Sequence, residues 1–115
     1  MSSAVSDSTE VFQAFADATR LRLLNLLLER ELCVCDLCDL LDEEQPKVSR
    51  HLAYLRRAEL VTVRDEGKWK YYRAVRGVPG LRKTLLRCVK TCLREMEPLQ
   101  EDLERLSHHE CDDCC

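Results

Sequence analysis

The chain has 115 residues, 45% of them hydrophobic and 34% charged, enough for one small core in one compact domain. Three glycines, three prolines and 5% aromatic residues argue against collagen-like, low-complexity or turn-rich β architectures. Net charge is −3, yet residues 45–76 hold nine Lys or Arg against three acidic residues, a local +6 that suggests a polyanion footprint.

No apolar run approaches the roughly 18 residues of a membrane span; the best stretch, Leu21 to Leu28, is broken by Arg22 and Asn25. Residues 1–8 read as a disordered lead without the basic and apolar blocks of an export signal, so a cytoplasmic protein with reduced thiols is expected. Val11, Phe12 and Phe15 recur at helical spacing and predict a helix from about Thr9 to Ala16. Asp17 and Thr19 can cap a second, leucine-rich helix from Arg20 to about Arg30. Glu31 to Leu41 reads as a short helix with Leu37, Leu40 and Leu41 inward.

After the acidic turn Asp42-Glu43-Glu44, Pro46 sits where a helix tolerates its missing N–H. Val48, Leu52 and Leu55 then form one buried stripe, and Lys47, Arg50 and Tyr54 lie opposite, flanked by Ser49 and His51. Helix, short turn, helix with a polar outer face is the helix-turn-helix pattern. Past Glu59 the period becomes alternating: Val61 and Val63, a turn at Asp65 to Lys68, then Trp69 and Tyr71, which predicts a β-hairpin with a basic exposed side. Gly77 to Gly80 reads as a linker. Leu81 to Leu106 is helical, with Leu81, Leu85, Cys88, Cys92, Leu99, Leu103 and Leu106 in a narrow stripe that Pro98 should bend or interrupt. The fold expected is mainly α with a small β-hairpin, a winged helix-turn-helix over residues 9–106, dimeric through its first and last helices. Residues 107–115 are expected to be a Cys/His-rich flexible tail.

A helix-turn-helix presents its second helix to the major groove. Gln45, Lys47, Ser49, Arg50, His51 and Tyr54 are the candidates there. Arg50 can bind guanine bidentately, while Lys47 and the hairpin's Arg64, Lys68 and Lys70 can neutralise phosphates. The partner expected is double-stranded DNA. No Gly-rich phosphate loop and no nucleophile–base set points to an enzyme.

Cys33, Cys35 and Cys38 lie within six residues. Three soft donors favour a thiophilic ion: trivalent arsenic or antimony, or cadmium, lead or zinc. Zinc usually takes a fourth ligand, which is missing locally, whereas three thiolates suit the trigonal pyramid of As(III). On an ideal helix Cys35 and Cys38 are neighbours but Cys33 and Cys35 face apart, so one centre can gather all three only if the helix start is not helical. Cys88 and Cys92 read as core packing at a dimer seam. Cys111, Cys114 and Cys115, with His108 and His109, could hold metal as an accessory set.

These motifs resemble the ArsR/SmtB family of dimeric winged-helix metalloregulators, in its arsenical-resistance branch. Glu31-Leu32-Cys33-Val34-Cys35-Asp36-Leu37-Cys38 is similar to that branch's metal-binding box, and Gln45-Pro46-Lys47-Val48-Ser49-Arg50-His51-Leu52 to its recognition helix. Gly67-Lys68-Trp69 with Tyr71-Tyr72-Arg73 resembles its wing, and Asp17-Ala18-Thr19-Arg20-Leu21-Arg22 the opening of its second helix. The resemblance implies a homodimer that binds operator DNA and is released when As(III) or Sb(III) binds Cys33, Cys35 and Cys38. Two other readings stand beside it: a Cd, Pb or Zn responsive repressor of the same family, and a thiol-based sequestering or redox-sensing protein.

Overall fold

The computed structural model describes residues 4–109 of the chain. Helix α1 (Ala4–Phe15) starts inside the stretch expected to be a disordered lead, so residues 4–8 are helical. Helix α2 (Ala18–Glu29) follows after Asp17, whose carboxylate accepts the Arg20 backbone N–H at 3.0 Å. That bond satisfies one of the donors a first turn leaves without a partner. Burial pushes the Asp17 carboxyl up, but the cap bond, with His51 and Arg20, holds it below its ordinary value.

The next segment corrects the sequence reading. Glu31 to Leu41 is not one helix: Leu32–Cys33 form strand β1, and α3 (Val34–Leu41) begins only at Val34. Cys33 is extended, at φ −86° and ψ 168°, and both strand residues are buried. Pairing with a neighbouring strand edge here outweighs the weak helical preference of two residues.

Helix α4 (Gln45–Arg57) carries Pro46 in its first turn and buries Val48, Leu52 and Leu55 completely. Strands β2 (Val61–Glu66) and β3 (Trp69–Ala74) form the expected hairpin, turning at Gly67, whose φ of 63° favours glycine. The sheet has three antiparallel strands in the order β1-β3-β2, with Leu32 opposite Tyr72 and Cys33 opposite Tyr71. The core beneath it combines Leu23, Leu24, Leu26 and Leu27 of α2 with the inner faces of α3 and α4.

The expected terminal helix is divided into α5 (Gly80–Cys88), a π-helical turn at Val89–Leu93, and α6 (Leu99–His108). Its apolar stripe is divided too: α5 packs on α1, while α6 folds back across α2 and α3, burying Leu99, Asp102 and Leu106. The buried Asp102 carboxylate receives Arg22 Nε at 2.7 Å and Nη2 at 2.9 Å, together with Arg105 Nη2. Asn25 Nδ2 donates to Leu99 O at 3.1 Å, and Arg30 Nη2 donates to Leu106 O and His109 O, each at 3.1 Å. Among the described residues no helix is long and apolar enough to cross a membrane.

Candidate metal centre and nucleic-acid interface

The three clustered cysteines occupy different local structures. Cys33 is the last residue of β1 and the N-cap of α3, buried to 2% exposure. Cys35 and Cys38 lie on α3, both half-buried and both free thiols. Burial pushes the Cys38 thiol up, and the nearby Cys35 and Asp39 add to the shift. Cys33, by contrast, is disulfide-bonded, which corrects the expectation of an entirely reduced chain.

The Cys33 sulfur lies 3.1 Å from Asp36 Oδ2, within reach for its reduced thiol to donate to the carboxylate. The other carboxylate oxygen, Oδ1, lies 2.8 Å from His109 Nε2 at the end of α6. Asp36 is fully buried, so a residue from the far end of the chain closes over the base of α3. The sequence offered His109 only beside the accessory cysteines and gave no link between it and Asp36, because 73 positions separate them. Among the described residues no three His, Cys, Asp or Glu side chains are already gathered as a metal site.

What lies around the cysteines matters as much as the thiols. A cleft of about 220 Å³ is lined by Cys33, Val34 and Cys35, by Gln45 at the start of α4, and by Lys68, Trp69 and Lys70 of the hairpin. Two candidate ligands therefore share one space with both elements expected to meet DNA. Cys33 is also the direct strand partner of Tyr71. The sequence hid this link, because a two-residue strand has no periodicity to read.

On α4, Gln45, Ser49 and Arg50 are exposed, and Arg50 has no ion pair among the described residues. Lys47 pairs with Glu43 at 3.1 Å. His51 and Tyr54 are turned toward α1 and α2. His51 Nδ1 lies 3.3 Å from Arg20 Nη1 and 3.9 Å from Asp17 Oδ1. The Arg20 guanidinium sits 4.1 Å above the Tyr54 ring, and the Tyr54 hydroxyl donates to Gln13 Oε1 at 3.4 Å. Burial, opposed by Asp17 and aided by Arg20, Lys47 and Arg50, holds the His51 imidazole below its ordinary value.

The hairpin cations are exposed but mostly engaged within the chain. Arg64 pairs with Glu31 at 2.7 Å and with Glu66, and its guanidinium lies 4.9 Å from the Tyr71 ring. This contact with Arg64 holds the Glu31 carboxyl below its ordinary range. Lys70 pairs with Asp65 at 2.7 Å, and Lys68 lies 5.0 Å from the Trp69 ring. Exposed pairs of this kind are worth about 0–1 kcal/mol, so a phosphate can displace them at little cost. Cys111, Cys114 and Cys115, the accessory set suggested by the sequence, lie outside the described residues.

The family model for bacterial regulatory proteins of the arsR family matches residues 17–63, from the α2 cap into β2. The chain is 42% identical over 103 residues to the arsenical resistance operon repressor of Escherichia coli K12, covering 89% of this chain and 86% of that protein. It is 39% identical over 67 residues to a cadmium resistance transcriptional regulatory protein CadC homolog of Staphylococcus aureus, covering 57% of this chain and 55% of the other. Among solved structures, the homodimeric winged helix-turn-helix DNA-binding domain of Mb0332 from Mycobacterium bovis superposes with a TM-score of 0.64 at 25% identity. It covers 92% of this chain and 87% of that one.

Proposed function

The chain belongs to the arsR family of bacterial regulatory proteins, as a winged helix-turn-helix transcriptional repressor and not an enzyme, and from that premise we propose that it is a homodimeric, cytoplasmic repressor released from operator DNA when As(III) or Sb(III) is ligated by Cys33, Cys35 and Cys38. The observation that carries this reading is the shared cleft, where Cys33 and Cys35 meet Gln45 of α4 and Lys68, Trp69 and Lys70 of the hairpin.

Arg50 and Gln45 read base edges, while Lys47, Ser49, Arg64, Lys68 and Lys70 hold phosphates. His51 and Tyr54 brace α4 against Arg20, Asp17 and Gln13 and so fix the angle at which it is presented. Two-fold pairing places half-sites about 10 base pairs apart.

Ligation exchanges the three hydroxyls of arsenous acid for three thiols and releases three waters with no net proton. Cys35 and Cys38 are already one turn apart on α3. Cys33 must leave Asp36, and because its backbone pairs with Tyr71, its displacement loosens the edge of the hairpin. Effector and DNA thus favour different arrangements of one element, which is what thermodynamic coupling requires. A coupling of about 1–3 kcal/mol corresponds to operator binding weakened roughly 5- to 150-fold. In this reading Cys111, Cys114 and Cys115 are an accessory thiol set.

The test is arsenite-dependent release of the reduced protein from its promoter DNA, followed by fluorescence anisotropy. Wild type should dissociate, whereas Cys38→Ser should bind DNA with similar affinity and stay bound. Intact release from a Cys33→Ser, Cys35→Ser double variant would overturn the ligand assignment. Titration across pH separates the effectors: Cd, Pb or Zn must displace thiol protons, so their affinity rises steeply with pH, the more so because Cys38 is shifted up. Arsenite binding should change far less.

The disulfide at Cys33 favours a second reading, a thiol-redox regulator in which oxidation occupies one of the three ligands. If hydrogen peroxide releases the operator as fully as arsenite does and dithiothreitol restores binding, the redox reading prevails.

A further inference from the structure

Cys88 and Cys92 stand apart from the segment just described. Cys88 ends α5 and Cys92 lies within the π-helical turn at Val89–Leu93. A spacing of four residues places both on one helical face, and the neighbouring Cys92 pushes the Cys88 thiol up. Both are free; Cys88 is half-buried and Cys92 is exposed. Thr91 Oγ1 lies 3.5 Å from Cys92 Sγ and donates to Arg87 O at 2.8 Å, so the surface beside the pair is polar.

The sequence suggested that these thiols pack at a dimer seam. Within the chain the buried positions here are Leu86 and Val89, at 5% and 0% exposure. Neither thiol is buried within its own chain, so both can serve as donors there. The π-helical turn at Val89–Leu93 ends this helix, an uncommon geometry.

We propose that Cys88 and Cys92 form a second thiol site, a dithiol clamp for a trivalent arsenical that carries one carbon substituent and two exchangeable hydroxyls. The match is one of valence. Inorganic arsenous acid has three exchangeable positions and is left one thiol short here, whereas an R–As(OH)₂ centre is completed by two. Two As–O bonds break and two As–S bonds form. Each thiol proton leaves with a hydroxyl as water, and no atom changes oxidation state. The site does not depend on the assignment of Cys33, Cys35 and Cys38 and needs no contact with DNA.

The test uses phenylarsine oxide on the reduced full-length chain. A variant with Ser at positions 33, 35, 38, 111, 114 and 115 keeps only Cys88 and Cys92. One equivalent of phenylarsine oxide should remove both from reaction with Ellman's reagent and add one phenylarsenic group by intact mass. Arsenite should protect them at least tenfold less effectively. Should that variant misfold, Cys88→Ser, Cys92→Ser in the otherwise native chain should lower the bound phenylarsine oxide by one equivalent per chain. The proposal falls if both thiols stay reactive under phenylarsine oxide or are unreactive from the start. It also falls if arsenite protects them equally, or if the double variant keeps the native stoichiometry.

Discussion

Two neighbourhoods of the same residue type differ in what surrounds them. Cys33, Cys35 and Cys38 belong to a segment that is part strand and part helix, backed by the core and paired with β3. Cys88 and Cys92 ride the outer face of a helix, over Leu86 and Val89. A ligand at the first place must move something that also shapes the hairpin and the start of α4; a ligand at the second need move little. Donor chemistry decides what is bound, and connectivity decides whether binding is felt elsewhere.

That contrast can be broken by substitution. The largest effect is expected for Leu37→Ala, which opens a cavity beneath α3 and should lower stability by about 2–5 kcal/mol in urea unfolding. Cys88→Ser with Cys92→Ser should stay within about 0.5 kcal/mol of the parent. Equal losses would show that the two places are equally structural. Arg50→Ala should cost about 1–3 kcal/mol of operator affinity and relax sequence preference, whereas Lys68→Ala should weaken all sequences alike and reduce the salt slope by about 1.

Trp69→Ala sharpens the comparison from the other side. It removes the wall shared by the cysteines and the hairpin, so DNA binding should persist while arsenite-driven release shrinks by about 0.5–2 kcal/mol of coupling. The smallest effect concerns pH. With its folded value below the ordinary 6.5, His51 binds a proton more readily in the unfolded chain, so its contribution is complete above that value and declines as pH falls through it. The urea midpoint should drop slightly from pH 7.5 to 5.5, and less in His51→Gln.

Much of the fold was legible because its signals are local. The Val48, Leu52, Leu55 stripe, Pro46 in the first turn of α4, the Asp17 cap and the turn at Gly67 each follow from a few adjacent residues. The basic segment and the cysteine cluster were equally visible. What the sequence concealed is tertiary. Strand β1 exists because β3 offers it an edge. The heptad-like stripe across Pro98 reads as one face, yet Leu99 and Leu106 turn to their own core, where Asp102 meets Arg22. His51 and Tyr54 sit on the polar side of α4, and only the position of Arg20 reveals that they lean toward α2.

The clamp between Arg22 and Asp102 has a practical corollary for anyone building a biosensor from this scaffold. It pins α6 so that His109 lies beside Asp36, under the cysteine segment. A fluorophore attached at position 108, which is exposed, would report from next door to that segment without occupying it.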